Sequence, residues 1–170
     1  MTNVEGKVAP GVDESGGRSE ASVRVLRHFR IVFNAVKTHF QQVEKSAGVG
    51  GAQLWALSVI AGQPGLGVTR LAREMDVHQS TASNLVRSLV DLGFVVTSRE
   101  GEDRRAVQLH LLAAGRRVLR SAPAPLAGVL PQALESLDEA TLARLDADLT
   151  RLIAVLGGDP DHADVPLGQA

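Results

Sequence analysis

Small polar side chains cluster at the start of one amphipathic helical pattern, and their chemistry suits contact with nucleic-acid bases. They are Gln79, Ser80, Thr81, Ser83 and Asn84, with Arg87 one helical turn further on. The amide of Asn or Gln can bind adenine through two hydrogen bonds, and an exposed arginine suits a phosphate. Ser, Thr and Asn also favour helix starts. Capping and solvent exposure are therefore the alternative interpretation of the cluster, with Arg87 as a surface arginine without a partner.

A second charged group lies at residues 99–105, between two β-like runs. It contains Arg104 and Arg105, and arginine suits a narrow, negative minor groove. Glu100 and Glu102 would repel phosphate, so a DNA-binding tip must orient its charges. The alternative is a charged hairpin that is merely solvated.

The order of the surrounding elements predicts a winged helix-turn-helix. A short helix at 70–75 is followed by three connecting residues and by a helix at 79–92, which ends before Gly93. The inward face of that second helix is predicted to be Ala82, Leu85, Val86, Leu89 and Val90. Alternating β-like runs follow at 94–99 and 106–111. The fold class is therefore mainly α with a small β-wing. Arg70 and Arg73, on the supporting helix, could reach backbone phosphates.

Amphipathic helices flank this block on both sides. Apolar residues recur at helical spacing from 21 to 47, and a nearly all-apolar helix follows at 52–62. After residue 113, a helical stretch is interrupted near Pro123 and Pro125, and it is predicted to resume through Leu126, Val129 and Leu130. Pro131 would bend this stretch or occupy a first turn. A leucine-striped last helix is capped by Asp138.

The terminal helices carry more apolar surface than a single copy can leave in water. Pairing with a second copy would bury it, and a two-fold dimer would place two reading helices one turn of DNA apart. The predicted divisions are a disordered N-terminal arm (1–20), N-terminal helices for dimerisation and support (21–62), the winged helix-turn-helix (63–112), C-terminal dimerisation helices (113–157) and a disordered tail (158–170).

Composition excludes several classes of function. The 170 residues include no cysteine, which removes disulfides and thiolate metal sites. The net charge of -1 gives no bulk basic signature, although the local distribution of charge matters more for DNA binding. No segment has the length or apolarity of a membrane span or a secretion signal, so we expect a cytoplasmic protein without membrane contact. We find no catalytic constellation and no phosphate-binding glycine loop, and we predict no enzyme activity and no cofactor.

The single tryptophan, Trp55, is open to two interpretations. On an all-apolar helix it is a core residue more often than a ligand platform. The alternative is a ligand pocket that Trp55 would share with His39, Phe40 and Val43 of the long first helix. His28 and His39 are eleven residues apart and no His-x-x-x-His pattern occurs, so no metal site is predicted.

Four runs resemble the multiple-antibiotic-resistance regulator (MarR) family. They are LAREMDV at 71–77, STASNLV at 80–86, LVDLGFV at 89–95 and DRRAVQLHL at 103–111, followed by Ala113-Ala114-Gly115. The resemblance covers roughly residues 21–156, and the block at 71–115 is its specific part. It implies a homodimeric transcriptional regulator, usually a repressor, that binds double-stranded DNA at a pseudo-palindromic operator. It also implies that a small, often aromatic effector releases the DNA.

By family position, Asp103 would hold the wing in shape, Arg105 would insert into DNA, and Arg104 would lie nearer the phosphates. Two departures from the family pattern stand out. Leu112 occupies a place where threonine usually caps the next helix, and Asn84 stands where a basic residue is common. Two other functions stay open: a winged-helix module that binds protein and no DNA, and a DNA-binding regulator without an effector.

Overall fold

The computed structural model describes residues 14–99 and 107–158, and the chain divides into two compact units, Met1–Asn34 and Ala35–Ala170. The described residues form helices α1 (Glu14–Ala47), α2 (Gly51–Gly62), α3 (Val68–Glu74), α4 (Gln79–Asp91), α5 (Ala113–Ser121), α6 (Val129–Glu135) and α7 (Glu139–Leu156), with strands β1 (Val95–Ser98) and β2 (Gln108–Leu111). The mainly helical fold class with a small β-wing is confirmed.

Helix α1 begins earlier than its sequence pattern predicts. It starts at Glu14, so the predicted disordered arm is wrong for residues 14–20, and residues 1–13 lie outside the described residues. Glycine lowers helix propensity, but adding a turn to an existing helix needs no new nucleation. Within the first unit, large apolar side chains are exposed: Val23, Val25, Leu26, Ile31, Val32 and Phe33.

The core of the second unit forms around α2. This helix is apolar nearly all round, as a buried helix should be, and it buries Leu54, Leu57 and Ile60 completely. The other largest buried side chains come from the helix-turn-helix, the strands and the end of α1: Val43, Leu71, Met75, Leu85, Leu89, Val95 and Leu109. A single apolar core therefore fixes α4 and the strand pair together.

The turn between α3 and α4 is tight. Asp76 has a φ of 50°, in the left-handed region that Asp and Asn tolerate better than most residues. The Val77 N–H donates to the Ala72 carbonyl across the turn at 3.0 Å. At the other end of α4, Gly93 has a φ of 69° and its N–H donates to the Val90 carbonyl at 2.9 Å. The predicted end of this helix before Gly93 is confirmed, and Gly93 adopts the left-handed conformation.

The strands β1 and β2 pair antiparallel, with Val95 opposite Leu111 and Ser98 opposite Gln108. Leu109 also exchanges backbone hydrogen bonds with the loop after α2, donating to the Leu66 carbonyl and accepting from Gly65, each at 3.0 Å. β2 is thus held on both edges, which fixes the base of the wing.

The structure explains why a glycine occurs in the run Ala113-Ala114-Gly115 that follows β2. A Cβ at this position would lie 2.5 Å from the Phe94 carbonyl oxygen and 2.9 Å from Leu111 Cδ1. Only glycine lets α5 start so close to the strand pair. The helix begins at Ala113 although Leu112 supplies no side-chain cap.

The C-terminal helices are shorter and more separate than one continued helix. Leu126 lies outside α6, because Gly128, with a φ of 104°, precedes the helix, and Pro131 occupies its first turn. Asp138 caps α7 as predicted: its Oδ1 accepts from the Thr141 N–H at 2.9 Å. The Thr141 hydroxyl, with that N–H, lowers the pKa of Asp138 below its ordinary value.

Helix α7 buries no residue in the single chain. Its exposed large apolar side chains are Leu145, Leu152, Ile153, Val155 and Leu156. Among the described residues, no helix combines the length and apolarity needed to cross a membrane. The predicted tail lies outside the described residues from 159 onward.

Candidate nucleic-acid interface and an adjoining cavity

Helix α4 presents two contrasting faces. Its inner face buries Ala82, Leu85, Val86 and Leu89. Its outer face exposes Gln79, Ser80, Asn84 and Arg87, while Thr81 and Ser83 are half-buried. A 13-residue helix of about 20 Å with a polar outer face has dimensions that fit a DNA major groove.

Local hydrogen bonds hold the start of α4. His78 precedes the helix, and its Nδ1 lies 2.9 Å from the Ser80 hydroxyl and 3.4 Å from the Ser80 N–H. The Ser83 hydroxyl donates to the Gln79 carbonyl at 2.8 Å. The N-cap is therefore a histidine, which the sequence pattern did not identify. The hydroxyl oxygens of Ser80 and Ser83 keep lone pairs for a further donor.

The arginines near this surface differ in their environments. Arg87 is exposed on α4. Arg70 on α3 lies 3.5 Å from a Glu74 carboxylate oxygen, an exposed pair of little energetic weight. Arg73 lines a shallow groove between α3 and α4, next to Gln79. The predicted wing residues Asp103, Arg104 and Arg105 lie outside the described residues.

A side-chain hydrogen bond ties α4 to α2. The Gln53 amide Nε2 donates to the Ser88 hydroxyl at 2.7 Å, and Gln53 Oε1 accepts from the Gly50 N–H at 2.9 Å. The Gln53 side chain thus caps the start of α2 and fixes α4 to it. A displacement of α2 would be transmitted to α4 through this contact and through the shared apolar core.

A cavity of about 110 Å³ lies beside the first half of α2, within the second unit. His39, Phe40 and Trp55 line it, as the pocket interpretation predicts. Val43 does not; its side chain is completely buried in the core, because it faces the apolar cluster around α2. Residues that the sequence did not identify complete the wall: Val36, Gly51, Ala52 and 127–131. The segment 127–131 reaches the cavity through the tertiary fold, and its local sequence does not indicate a pocket.

His39 stands out in this cavity. It is only 6% exposed, and its described side-chain interaction is a tilted ring contact with Phe40 at 6.1 Å between centroids. No hydrogen bond to its ring nitrogens is found within residues 14–99 and 107–158. His39 and the Trp55 indole N–H are the side-chain polar groups of an otherwise apolar lining.

A family model and a transcriptional regulator match parts of this chain. Residues 47–106 match the model of the MarR family. A protein of Thauera aromatica, a proposed transcriptional regulatory protein for the hcr operon, is 31% identical over 123 residues, covering 72% of this chain and 69% of the relative.

Solved structures share the fold. FabT of Streptococcus pneumoniae, solved in complex with DNA, has 20% identity and a TM-score of 0.51, covering 80% of this chain and 97% of its own. The transcriptional regulator BldR of Sulfolobus solfataricus has 21% identity and a TM-score of 0.51, covering 82% and 99%.

Proposed function

Because the chain belongs to the MarR family of transcriptional regulators, we propose that it acts in the cytoplasm as a homodimeric repressor that binds a pseudo-palindromic operator. The observation that carries the proposal is the two-sided nature of α4. Its apolar face is fixed in the core, and its polar face is free for another molecule.

In the proposed complex, α4 enters the major groove. Gln79 and Asn84 read base edges through their amides, the hydroxyls of Ser80, Thr81 and Ser83 contact bases or phosphates, and Arg87 contacts a phosphate. Arg70 and Arg73 reach the phosphate backbone from α3. The solved DNA complex of the FabT relative supports DNA as the partner.

The wing would contact the flanking DNA. In this proposal Asp103 shapes the wing tip, Arg105 inserts into the minor groove and Arg104 lies near the phosphates. The fixed base of the wing supports this, because Leu109 is hydrogen-bonded to the loop after α2 as well as to β1.

A second copy would cover the exposed apolar residues of the terminal helices. Helix α7 buries no residue in a single chain, and Val155 is 84% exposed. In the first unit Phe29 and Phe33 stack at 6.2 Å, and Phe33 remains exposed. Apolar helix faces of this kind are typical of subunit interfaces.

DNA binding can be tested with an operator selected from a random pool and fluorescence anisotropy over a salt series. We expect Asn84→Ala to relax base preference at one position in each half-site. We expect Arg87→Ala to weaken binding across sequences and to lower the salt slope by about one unit per contact removed. Arg144→Ala, which removes an exposed arginine of α7, is the control and should leave the sequence preference unchanged.

Two results would contradict the assignment of α4. One is an unchanged base preference in Asn84→Ala together with an unchanged salt slope in Arg87→Ala. The other is the absence of any sequence-selective binding, which would favour a winged-helix module that binds protein.

We further propose that the cavity beside α2 accepts a small aromatic effector that releases the DNA. Its volume is near the roughly 150 Å³ of an apolar cavity that holds benzene. His39 would hydrogen-bond a single polar group of the ligand, and Phe40 and Trp55 would contact its ring. Effector and DNA would favour different positions of α2 and α4, so each would weaken binding of the other.

Phenol and toluene test this pocket, since they differ in one hydroxyl. We expect phenol to bind more tightly than toluene and to reduce operator affinity. His39→Leu should remove the preference for phenol, whereas His28→Leu, a change at an exposed histidine of the same helix, should not. Equal responses of the two variants would contradict the role of His39. Operator affinity that no aromatic compound changes would favour a regulator without an effector.

A further inference from the structure

A second cleft, of about 450 Å³, opens at the C-terminal end of α2. The first cavity lies at the N-terminal half of the same helix, and the two share no lining residue. The second cleft is bounded by the end of α2 and the following turn, by β2 and by α5. Its lining also differs in charge, since it includes two arginines, whereas the first cavity has none.

Arg116 and Arg120 are the charged groups of this cleft. They are four residues apart on α5, so they share one face and repel each other. Neither is in an ion pair within the described parts of the chain, and no carboxylate lines the cleft. His110 of β2 lines the same cleft and adds a ring N–H or a lone pair. A bound anion would relieve the repulsion between the arginines.

The remaining wall of the cleft is apolar. Its accessible residues include Ala61, Pro64 and Leu119, and Ile60, which lines the same wall, is fully buried. Inorganic phosphate would satisfy the arginines and leave this wall in water. A carboxylate on an apolar body would use both parts, because guanidinium binds carboxylate through paired hydrogen bonds and the body covers apolar surface.

We propose that this cleft is a binding site for a small amphipathic carboxylate, distinct from the cavity that contains His39. Arg116 and Arg120 bind the carboxylate, and the apolar body lies against the end of α2. His110 contributes a polar contact from the strand side.

The site also has a consequence for DNA binding, and this part rests on the proposed function. A ligand held between α5 and His110 ties α5 to β2, and β2 begins two residues after the segment 100–106 that carries the predicted wing arginines. Because β2 is already fixed to the loop after α2 by Leu109, added contacts at His110 act on the wing. Occupancy therefore changes operator affinity.

Binding is measured by isothermal titration calorimetry on the full chain without DNA. The result therefore does not depend on the proposed function. The probe is 2-naphthoate, with 2-naphthamide as its uncharged analogue and inorganic phosphate as an anion without an apolar body. We expect saturable binding of 2-naphthoate and at least tenfold weaker binding of both controls.

Variants locate the site. Arg116→Gln and Arg120→Gln each weaken 2-naphthoate binding at least tenfold, whereas Arg117→Gln, the same change at an exposed neighbour outside the cleft, does not. Ala61→Phe, which fills the apolar wall without removing charge, also weakens binding. Circular dichroism melting curves confirm that each variant is folded.

Several results would overturn the proposal. They are no binding of 2-naphthoate, an equal effect of Arg117→Gln, or loss of binding in His39→Leu with retention in Arg116→Gln. Weakened operator binding by Arg116→Gln in the absence of 2-naphthoate would assign the arginine to DNA instead. An operator affinity unchanged by saturating 2-naphthoate would overturn the coupling to the wing.

Discussion

Helices α4 and α7 are both amphipathic, but only α4 has its apolar face filled by its own chain. α4 buries Ala82, Leu85, Val86 and Leu89 and exposes polar side chains. α7 is longer, with 18 residues, and buries none of them. Its exposed apolar side chains include Leu145, Leu152, Ile153 and Val155. An amphipathic pattern therefore shows that a helix has a face to cover, and the structure shows whether the same chain covers it.

The comparison separates two kinds of interaction. The free face of α4 carries amides, hydroxyls and an arginine, which suit a polar and charged partner. The free face of α7 carries branched aliphatic side chains, which suit a complementary apolar surface such as a second copy. In the proposed regulator, α7 brings two copies of α4 to one operator.

The largest expected effect is on the inner face of α4. Leu89→Ala removes a completely buried side chain and should lower the free energy of unfolding by about 2–5 kcal/mol. Leu152→Ala on α7 is the matched change at an exposed leucine. In a dilution series, its effect should depend on protein concentration, whereas that of Leu89→Ala should not. Chemical denaturation at several concentrations measures both, and identical behaviour would remove the distinction between the helices.

A charge on the outer face of α7 should separate the subunits without unfolding them. Ile153→Glu places a carboxylate on an exposed apolar face, and a buried interface penalises it heavily. We expect a monomer in sedimentation velocity, native helix content, and operator binding weaker by about 100-fold, because two half-sites are no longer bound together. Ala147→Glu, at an exposed alanine of the same helix, is the control. A dimer that survives Ile153→Glu would place the subunit interface elsewhere.

A smaller effect is expected at the close contact between α5 and Phe94, which lies just after α4. The Phe94 N–H donates to the Leu89 carbonyl at 2.9 Å, and the Phe94 carbonyl faces Gly115. Gly115→Ala would force a Cβ against backbone that cannot move freely, and should cost about 1–3 kcal/mol. Gly62→Ala, at a helical glycine with nothing within 4 Å of an added Cβ, is the control. Thermal unfolding compares the two, and equal melting temperatures would contradict the close approach of α5.

Helix α4 and its surroundings were largely predictable from the sequence, because local signals set them. The apolar spacing gave the inner face, Gly93 gave the stop, and alternation gave the strands to within about two residues. The prediction that Val90 faces inward is wrong, because this residue is 38% exposed. It lies one residue step, about 100°, beyond Leu89 and therefore at the edge of the apolar stripe.

The cavity and the cleft were less predictable, because distant segments form them. His39, Phe40 and Trp55 could be proposed from residue type, but the wall at 127–131 depends on how the chain returns past α2. Arg116 and Arg120 carry no local signal of a shared cleft with His110. Their proximity follows from the packing of α5 on the strand pair, where Gly115 permits close contact.

The central claim is that two copies of α4 read one operator, and the binding-site sequence selected by the wild-type protein from a random DNA pool tests it most directly. The account predicts an inverted repeat whose half-site centres lie about 10 base pairs apart, one turn of DNA. A single asymmetric half-site, or no enriched sequence at physiological salt, would contradict it.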